Sequence, residues 1–317
     1  MTLDPAVFRP EAIDAETLAF NEQVAALFAA QTPIHLQTPQ AIRTARAEGR
    51  GPRGPIIRSP NAKERVIGGP GGPLSLRLFL PSKVDGVYLH LHGGGWVLGS
   101  SDAQDERLET ISNTCNLAVL SVEYRLAPED PYPAGPDDCE AAAVWLAQNA
   151  KSEFGSERLL IGGESAGAHL AVVTLSRLRD RHGLTPFAGA FLGYGFYDPD
   201  LTPSARRWGE KYLILSTPVL DWFSDHFVPR DKRRDPDVNP LFADLSGMPP
   251  ALFVVGTLDP LLDDTLFMHA RWLAAGNEAN LDVYPGGIHG LDGYATTMGR
   301  IAQSRQEAFF ASLLKGG

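Results

Sequence analysis

Cysteine is scarce in this 317-residue chain: there are two, Cys115 and Cys139. Two isolated thiols make neither a disulfide framework nor a metal-ligand spacing, so both are expected to be small buried residues on helices. Positive charge is also in short supply. Lys and Arg number 28 against 38 Asp and Glu, a net charge of −10, which argues against nucleic acid or an anionic membrane as a main partner. The basic cluster Arg230, Lys232, Arg233 and Arg234 is interrupted by acids and reads as a solvated loop. No apolar run is long enough to span a bilayer. The opening "MTLDPAVFRPEAIDAETL" has no basic stretch leading into an apolar one, as a secretory signal would. The expected setting is therefore cytoplasmic and off the membrane.

Strand and helix patterns alternate through most of the chain. Strands are expected at 64–68, 74–80, 86–92, 117–123, 158–162, 188–194, 251–255 and 280–284, and helices at 103–114, 137–150, 166–181, 262–275 and 297–314. Apolar runs such as "RLLIG" and "ALFVV" suit strands buried on both faces. Alternation of this kind predicts an α/β fold with a mostly parallel eight-stranded sheet flanked by helices. The first two or three strands follow one another without helices and are expected to pair antiparallel at one edge. Residues 11–31 carry Phe20, Val24, Leu27 and Phe28 on one predicted helical face, and a shorter helix is expected from Pro39 to Glu48. The Gly-, Pro- and Arg-rich stretch 49–60 reads as a connector. The expected organisation is an N-terminal unit at 1–50 and a larger unit at 51–317, with helices inserted at about 200–230.

The chemistry concentrates at strand ends. "LLIGGESAGAHL" (159–170) runs a buried-strand pattern into Gly163-Glu164-Ser165-Ala166-Gly167 and then a helix pattern. A serine on such a sharp turn projects its hydroxyl at the carboxyl end of the sheet, and residues larger than glycine beside it would clash. The plain alternative is a glycine-rich turn. "HLHGGGWVLGS" (90–100) follows another strand, and its glycine triplet lets backbone N–H groups approach a developing oxyanion. A phosphate loop is the alternative, but no G-K-[ST] follows and no dinucleotide fingerprint is present. His92, which leads the glycines, reads as a loop organiser.

A serine nucleophile needs a base, and the base needs an orienting acid. Among eight histidines, His289 sits in a glycine-rich loop after the last strand, whereas His182, His226 and His269 fall in surface-helix or loop contexts. His169, four residues after Ser165, is expected to pack against the sheet or a neighbouring loop. Asp259 stands just after a buried strand. Asp263 and Asp264 fall at a helix start, where acids serve the helix dipole. The order Ser165, Asp259, His289, each at a strand end, is the chain order expected for the α/β-hydrolase constellation.

Five segments carry a resemblance: "HGGGW", "YRLAPEDPYPA", "GESAG", "NPLFADLSGMPPALFVVGTLDPLLDD" and "GGIHG". Together they resemble the hormone-sensitive lipase family of esterases, bacterial family IV, over residues 64–317. The resemblance implies an α/β-hydrolase core with a helical cap built from the N-terminus and the insert. It implies Ser165 as nucleophile, His289 as base and Asp259 as acid, with the N–H groups of Gly94, Gly95 and Ala166 forming the oxyanion hole. "YRLAPE" would be scaffolding near the elbow. Two departures are visible. Glu164 stands where the family most often has Asp or Thr, and Ala168-His169 stand where Gly-Asn is frequent.

The expected function is hydrolysis of short- to medium-chain acyl or aryl esters, a small-molecule substrate, with no metal and no cofactor. Trp96, Phe196, Trp208 and Tyr212 are expected to line an apolar pocket, although some of these aromatics also suit plain core. An amidase or deacetylase would use the same three residues. A non-catalytic receptor on this fold tends to lack the histidine that His289 supplies here. The family also implies an exposed last strand able to pair across a homodimer.

Overall fold

A computed structural model of the protein describes residues 3–52 and 54–314. Met1, Thr2 and Arg53, which belong to the expected N-terminal unit and connector, lie outside the described residues, as do residues 315–317. Eight strands form one sheet: β1 Lys63–Gly69, β2 Gly72–Phe79, β3 Gly86–Leu91, β4 Leu117–Val122, β5 Leu159–Glu164, β6 Phe187–Gly193, β7 Ala251–Gly256 and β8 Ala279–Tyr284. Their order is β1-β2-β4-β3-β5-β6-β7-β8. β1, β2 and β4 pair antiparallel, and from β4 through β8 every pairing is parallel. The antiparallel edge therefore holds the first two strands but not the third. β3 crosses inward and pairs with both β4 and β5, because a parallel neighbour has to be reached by a crossover.

Apolar alternation places helices on both faces. Along β3, Val87, Leu89 and Leu91 join one core and Tyr88 joins the other. On the first face lie α4 (Ala134–Phe154), α5 (Ala166–His182) and α8 (Leu262–Ala274), through residues such as Cys139, Leu170 and Trp272. The opposite face packs α3 (Asp105–Cys115) and α9 (Thr297–Leu314), through Leu108, Ile111, Cys115 and Phe310. Both cysteines are free and buried. α4 begins three residues before the expected start and stops at Gly155, whose left-handed φ of 77° ends the helix. None of the described helices is long and apolar enough to cross a membrane.

Two further groups of helices lie above the carboxyl ends of the strands. α1 (Ala15–Ala29) and α2 (Pro39–Ala47) come from the N-terminus, α6 (Pro203–Arg207) and α7 (Thr217–Phe227) from between β6 and β7. They touch each other: Phe28 meets Tyr212 edge-on at 5.2 Å, and the Ile34 N–H donates to the Tyr212 hydroxyl at 3.4 Å. In α1 the buried stripe is Thr17, Asn21, Val24 and Phe28, so Leu27 is turned out to solvent. The polar Asn21 shifts the stripe because it has a partner below, described next. Arg233, expected on a solvated loop, is 2% exposed. Its guanidinium is buried against Asp225 at 2.5 Å and the Pro199 carbonyl at 3.2 Å.

Candidate active site

β4 lies on one side of β3 and β5 on the other, so the connections leaving β3 and β5 run in opposite directions. Such a switch point is where ligands bind in open parallel sheets. The glycine triplet 93–95 leaves β3 there and Ser165 leaves β5. In register Leu91 lies opposite Gly163, which carries Gly93 and Ser165 to adjacent positions above the sheet.

Ser165 sits at φ 58° and ψ −119°, a conformation that L-residues adopt only where the surroundings impose it. Here the imposing groups are visible. A Cβ at Gly163 or Gly167 would come within 2.0 or 1.9 Å of the Leu91 carbonyl oxygen, so only glycine fits on each side. The Ser165 N–H donates to the Gly193 carbonyl at 2.8 Å, tying the turn to β6. From Leu159 to Leu175 every residue is buried except Ser165. Ala166 takes the first position of α5, where its N–H has no acceptor within the helix.

His289 and Asp259 come together from the loops after β8 and β7. The His289 Nδ1–H donates to Asp259 Oδ2 at 2.8 Å, and Asp259 Oδ1 also accepts the Leu261 N–H at 2.9 Å. Both side chains are buried. With its Nδ1 proton committed to a carboxylate, the imidazole presents Nε2 as an acceptor. The Tyr194 ring packs edge-on against His289 at 4.9 Å, and its hydroxyl donates to Asp292 at 2.6 Å. Asp263 and Asp264 do begin α8, but their carboxylates hold the start of the insert. Asp263 accepts the Ser204 N–H, and Asp264 accepts the N–H groups of Tyr197 and Asp198 and the Thr202 hydroxyl.

The glycine loop turns sharply: Gly94 has φ 125° and Gly95 φ 60°, and the Gly94 carbonyl accepts N–H bonds from Val97 and Leu98. Among the described residues, the N–H groups of Gly94 and Gly95 meet no protein acceptor. The Phe223 ring of α7 lies directly on Gly95. His92 organises this loop. Its Nδ1–H donates to the Gly93 carbonyl at 2.9 Å, its ring stacks on Tyr124 at 4.1 Å, and the Tyr124 hydroxyl donates back to the His92 carbonyl. Burial pushes the His92 imidazole below its ordinary range, so it stays neutral.

Glu164 is tied to β3 and to the start of α3. It accepts from His90 Nε2 at 3.1 Å and from Gln104 at 2.8 Å, while His90 Nδ1 lies 2.9 Å from the Ser121 hydroxyl. Burial alone would raise this carboxyl, but His90 and Gln104 hold it below the ordinary carboxylate range. His169 accepts the Trp96 indole N–H on Nδ1 at 3.1 Å and donates from Nε2 to the Val238 carbonyl at 2.7 Å.

The four residues expected to line a pocket divide into two pairs. Trp96 and Phe196 are almost fully buried beneath the loop, where Trp96 stacks on Phe227 at 4.3 Å and packs against Phe196 at 4.9 Å. Trp208 and Tyr212 are half-buried on the insert. His269 is not a surface histidine: it is buried against Phe253, which also packs edge-on against Trp272. Three neighbours escaped sequence reasoning. Asn21 of α1 donates to the Gly286 carbonyl in the His289 loop at 2.8 Å, Arg43 of α2 reaches the glycine loop, and Tyr194 flanks His289. Only Tyr194 had a signal, its place between glycines at a strand end.

The chain belongs to the α/β-hydrolase family: the family's sequence model, described as the alpha/beta hydrolase fold, matches residues 88–292. Among curated proteins it is 32% identical over 285 residues to the carboxylesterase NlhH of Mycobacterium tuberculosis, covering 86% of this chain and 89% of that one. It is 35% identical over 239 residues to the carboxylic ester hydrolase LipN of the same organism, covering 71% of this chain but 62% of LipN. Among solved structures it resembles a hyperthermophilic esterase from Pyrobaculum calidifontis, with a TM-score of 0.82, 29% identity and 99% of each chain covered.

Proposed function

We propose that this carboxylic ester hydrolase is a serine carboxylesterase with Ser165 as nucleophile, His289 as general base and Asp259 as the orienting acid. The observation that carries the reading is the strained turn that holds a partly exposed Ser165 between β5 and α5; a buried His289 whose Nδ1 proton is given to Asp259 supports it. His289 Nε2 takes the Ser165 hydroxyl proton as Oγ attacks the ester carbonyl. The N–H groups of Gly94, Gly95 and Ala166 receive the oxyanion, and the positive end of α5 adds to their field. His289 then returns the proton to the departing alcohol, leaving an acyl-Ser165 ester. Water, deprotonated by the same imidazole, releases the acid and restores the serine. Asp259 holds the tautomer and stabilises the imidazolium.

α1, α2, α6 and α7 act together as a cap over this site. We assign the half-buried Trp208 and Tyr212 to the substrate side of this cap, and Phe223 on Gly95 shortens the space beside the reacting carbonyl, which favours short- to medium-chain acyl or aryl esters. Trp96 and Phe196 support the floor from below. The test is hydrolysis of p-nitrophenyl esters of increasing acyl length by the wild type and by Ser165→Ala. The expected outcome is turnover falling with acyl length in the wild type and loss of at least ~10³-fold in the variant, with an unchanged melting profile. Full activity in Ser165→Ala refutes the assignment.

A further inference from the structure

The oxyanion donors sit on a turn whose glycines supply freedom but no rigidity, so something else has to fix the direction of their N–H groups. One support is Trp96, locked by Phe227 and His169. The other comes from α2, distant in sequence. Arg43 places its Nε–H on the Val97 carbonyl at 2.8 Å and its Nη2–H on the Ala127 carbonyl at 2.5 Å, while Nη1 pairs with Glu129 at 2.8 Å. Ala127 in turn donates its N–H to the Trp96 carbonyl at 3.0 Å. The guanidinium thus bridges the glycine turn and the "YRLAPE" segment at the point where those two stretches already bond. A planar, permanently charged fork can hold two carbonyls in fixed directions, which a single ammonium cannot. Ile42 is the only buried residue of α2 among those described, so α2 contributes little core, whereas the Arg43 side chain is 22% exposed and makes three defined bonds.

We propose that Arg43 is a positioning residue for the oxyanion turn: it sets the orientation of the Gly94 and Gly95 N–H groups from outside the hydrolase core. The proposal rests on the reading of Ser165 and the oxyanion donors given above, and it adds that the N-terminal helices complete the catalytic geometry as well as covering it.

The experiment uses the full chain with Arg43→Met and Arg43→Lys. Rates are measured on p-nitrophenyl acetate, active sites are titrated, and inhibition is followed with a trifluoromethyl ketone, which forms a tetrahedral adduct on serine. In Arg43→Met, kcat per titrated site is expected to fall about 10- to 100-fold with KM nearly unchanged, and ketone affinity to fall in parallel with kcat/KM. Arg43→Lys recovers part of that loss. A role limited to stability would lower the melting temperature and the number of titrated sites but leave kcat per site and ketone affinity unchanged, and that result overturns the proposal. Ser165→Ala, run alongside, separates the two claims. If it is inactive while Arg43→Met keeps wild-type kcat, this proposal alone fails. If it remains active, the reading beneath fails and takes the proposal with it.

Discussion

Gly95 has no space for a side chain. Its φ is 60°, and a Cβ would sit 2.2 Å from the Phe223 ring, so any substitution has to move either α7 or the turn carrying the proposed oxyanion donors. Gly95→Ala is expected to lower kcat by on the order of 10²-fold with a small change in KM, because the loss falls on a bond that strengthens only in the transition state. Steady-state kinetics of the purified variant checks this, and a rise in KM at constant kcat would speak against it. The candidates Ser165, Asp259 and His289 stand out in the sequence because each follows an apolar strand and glycines surround Ser165 and His289. Asn21 and Arg43 do not, since nothing local marks a polar residue on an N-terminal helix as the partner of a carbonyl 265 or 54 positions away. His269 escaped for a related reason. Its helix looks amphipathic from either side, and only the packing of α8 on Phe253 shows which side faces in.

Among the elements, α7 bears most directly on the proposed specificity. It buries Val219, Leu220, Phe223 and Phe227 on one face, and of these Phe223 touches the glycine loop while Phe227 stacks on Trp96. Removing the Phe223 ring opens space beside Gly95 without disturbing the Trp96 stack. Phe223→Ala is therefore expected to raise the kcat/KM ratio of octanoate over acetate p-nitrophenyl esters by about 10-fold, the scale on which hydrophobic pockets discriminate methylenes. A ratio that stays the same or falls would place the acyl chain elsewhere. All eight strands and the five core helices were readable within a few residues, since buried strands and amphipathic helices leave local periodicities. Sheet order was less readable. β3 belongs beside β5 because of a crossover, and a crossover leaves no local mark. The stripe on α1 moved away from Leu27 for a similar reason, as the loop it covers offers a carbonyl for Asn21.

For the molecule as a whole, one contribution to stability that is lost in acid comes from a histidine buried neutral. Burial pushes the His169 imidazole from its ordinary 6.5 down to about 4, and the bonds to Trp96 and Val238 suit only the neutral ring. As pH falls the unfolded chain therefore takes up this proton first. Stability drops from about pH 6.5 and continues to drop until the folded protein also protonates near pH 4, a total of about 3 kcal/mol. His169→Gln keeps one donor and one acceptor but does not titrate. Urea unfolding at pH 7 and pH 4.5 is expected to show a smaller acid loss in this variant than in the wild type, and equal losses would mean that His169 is not the group responsible.

The whole assembly, from sheet switch point to cap, serves one claim: that Ser165 is the group acylated during turnover. Reaction of the intact protein with a p-nitrophenyl alkylphosphonate, followed by mass spectrometry of its peptides, tests this most directly. The expected result is one phosphonyl adduct per chain on Ser165, formed as activity is lost and absent from Ser165→Ala. Inactivation with the adduct on another residue, or inactivation of Ser165→Ala's residual activity at the wild-type rate, would contradict it.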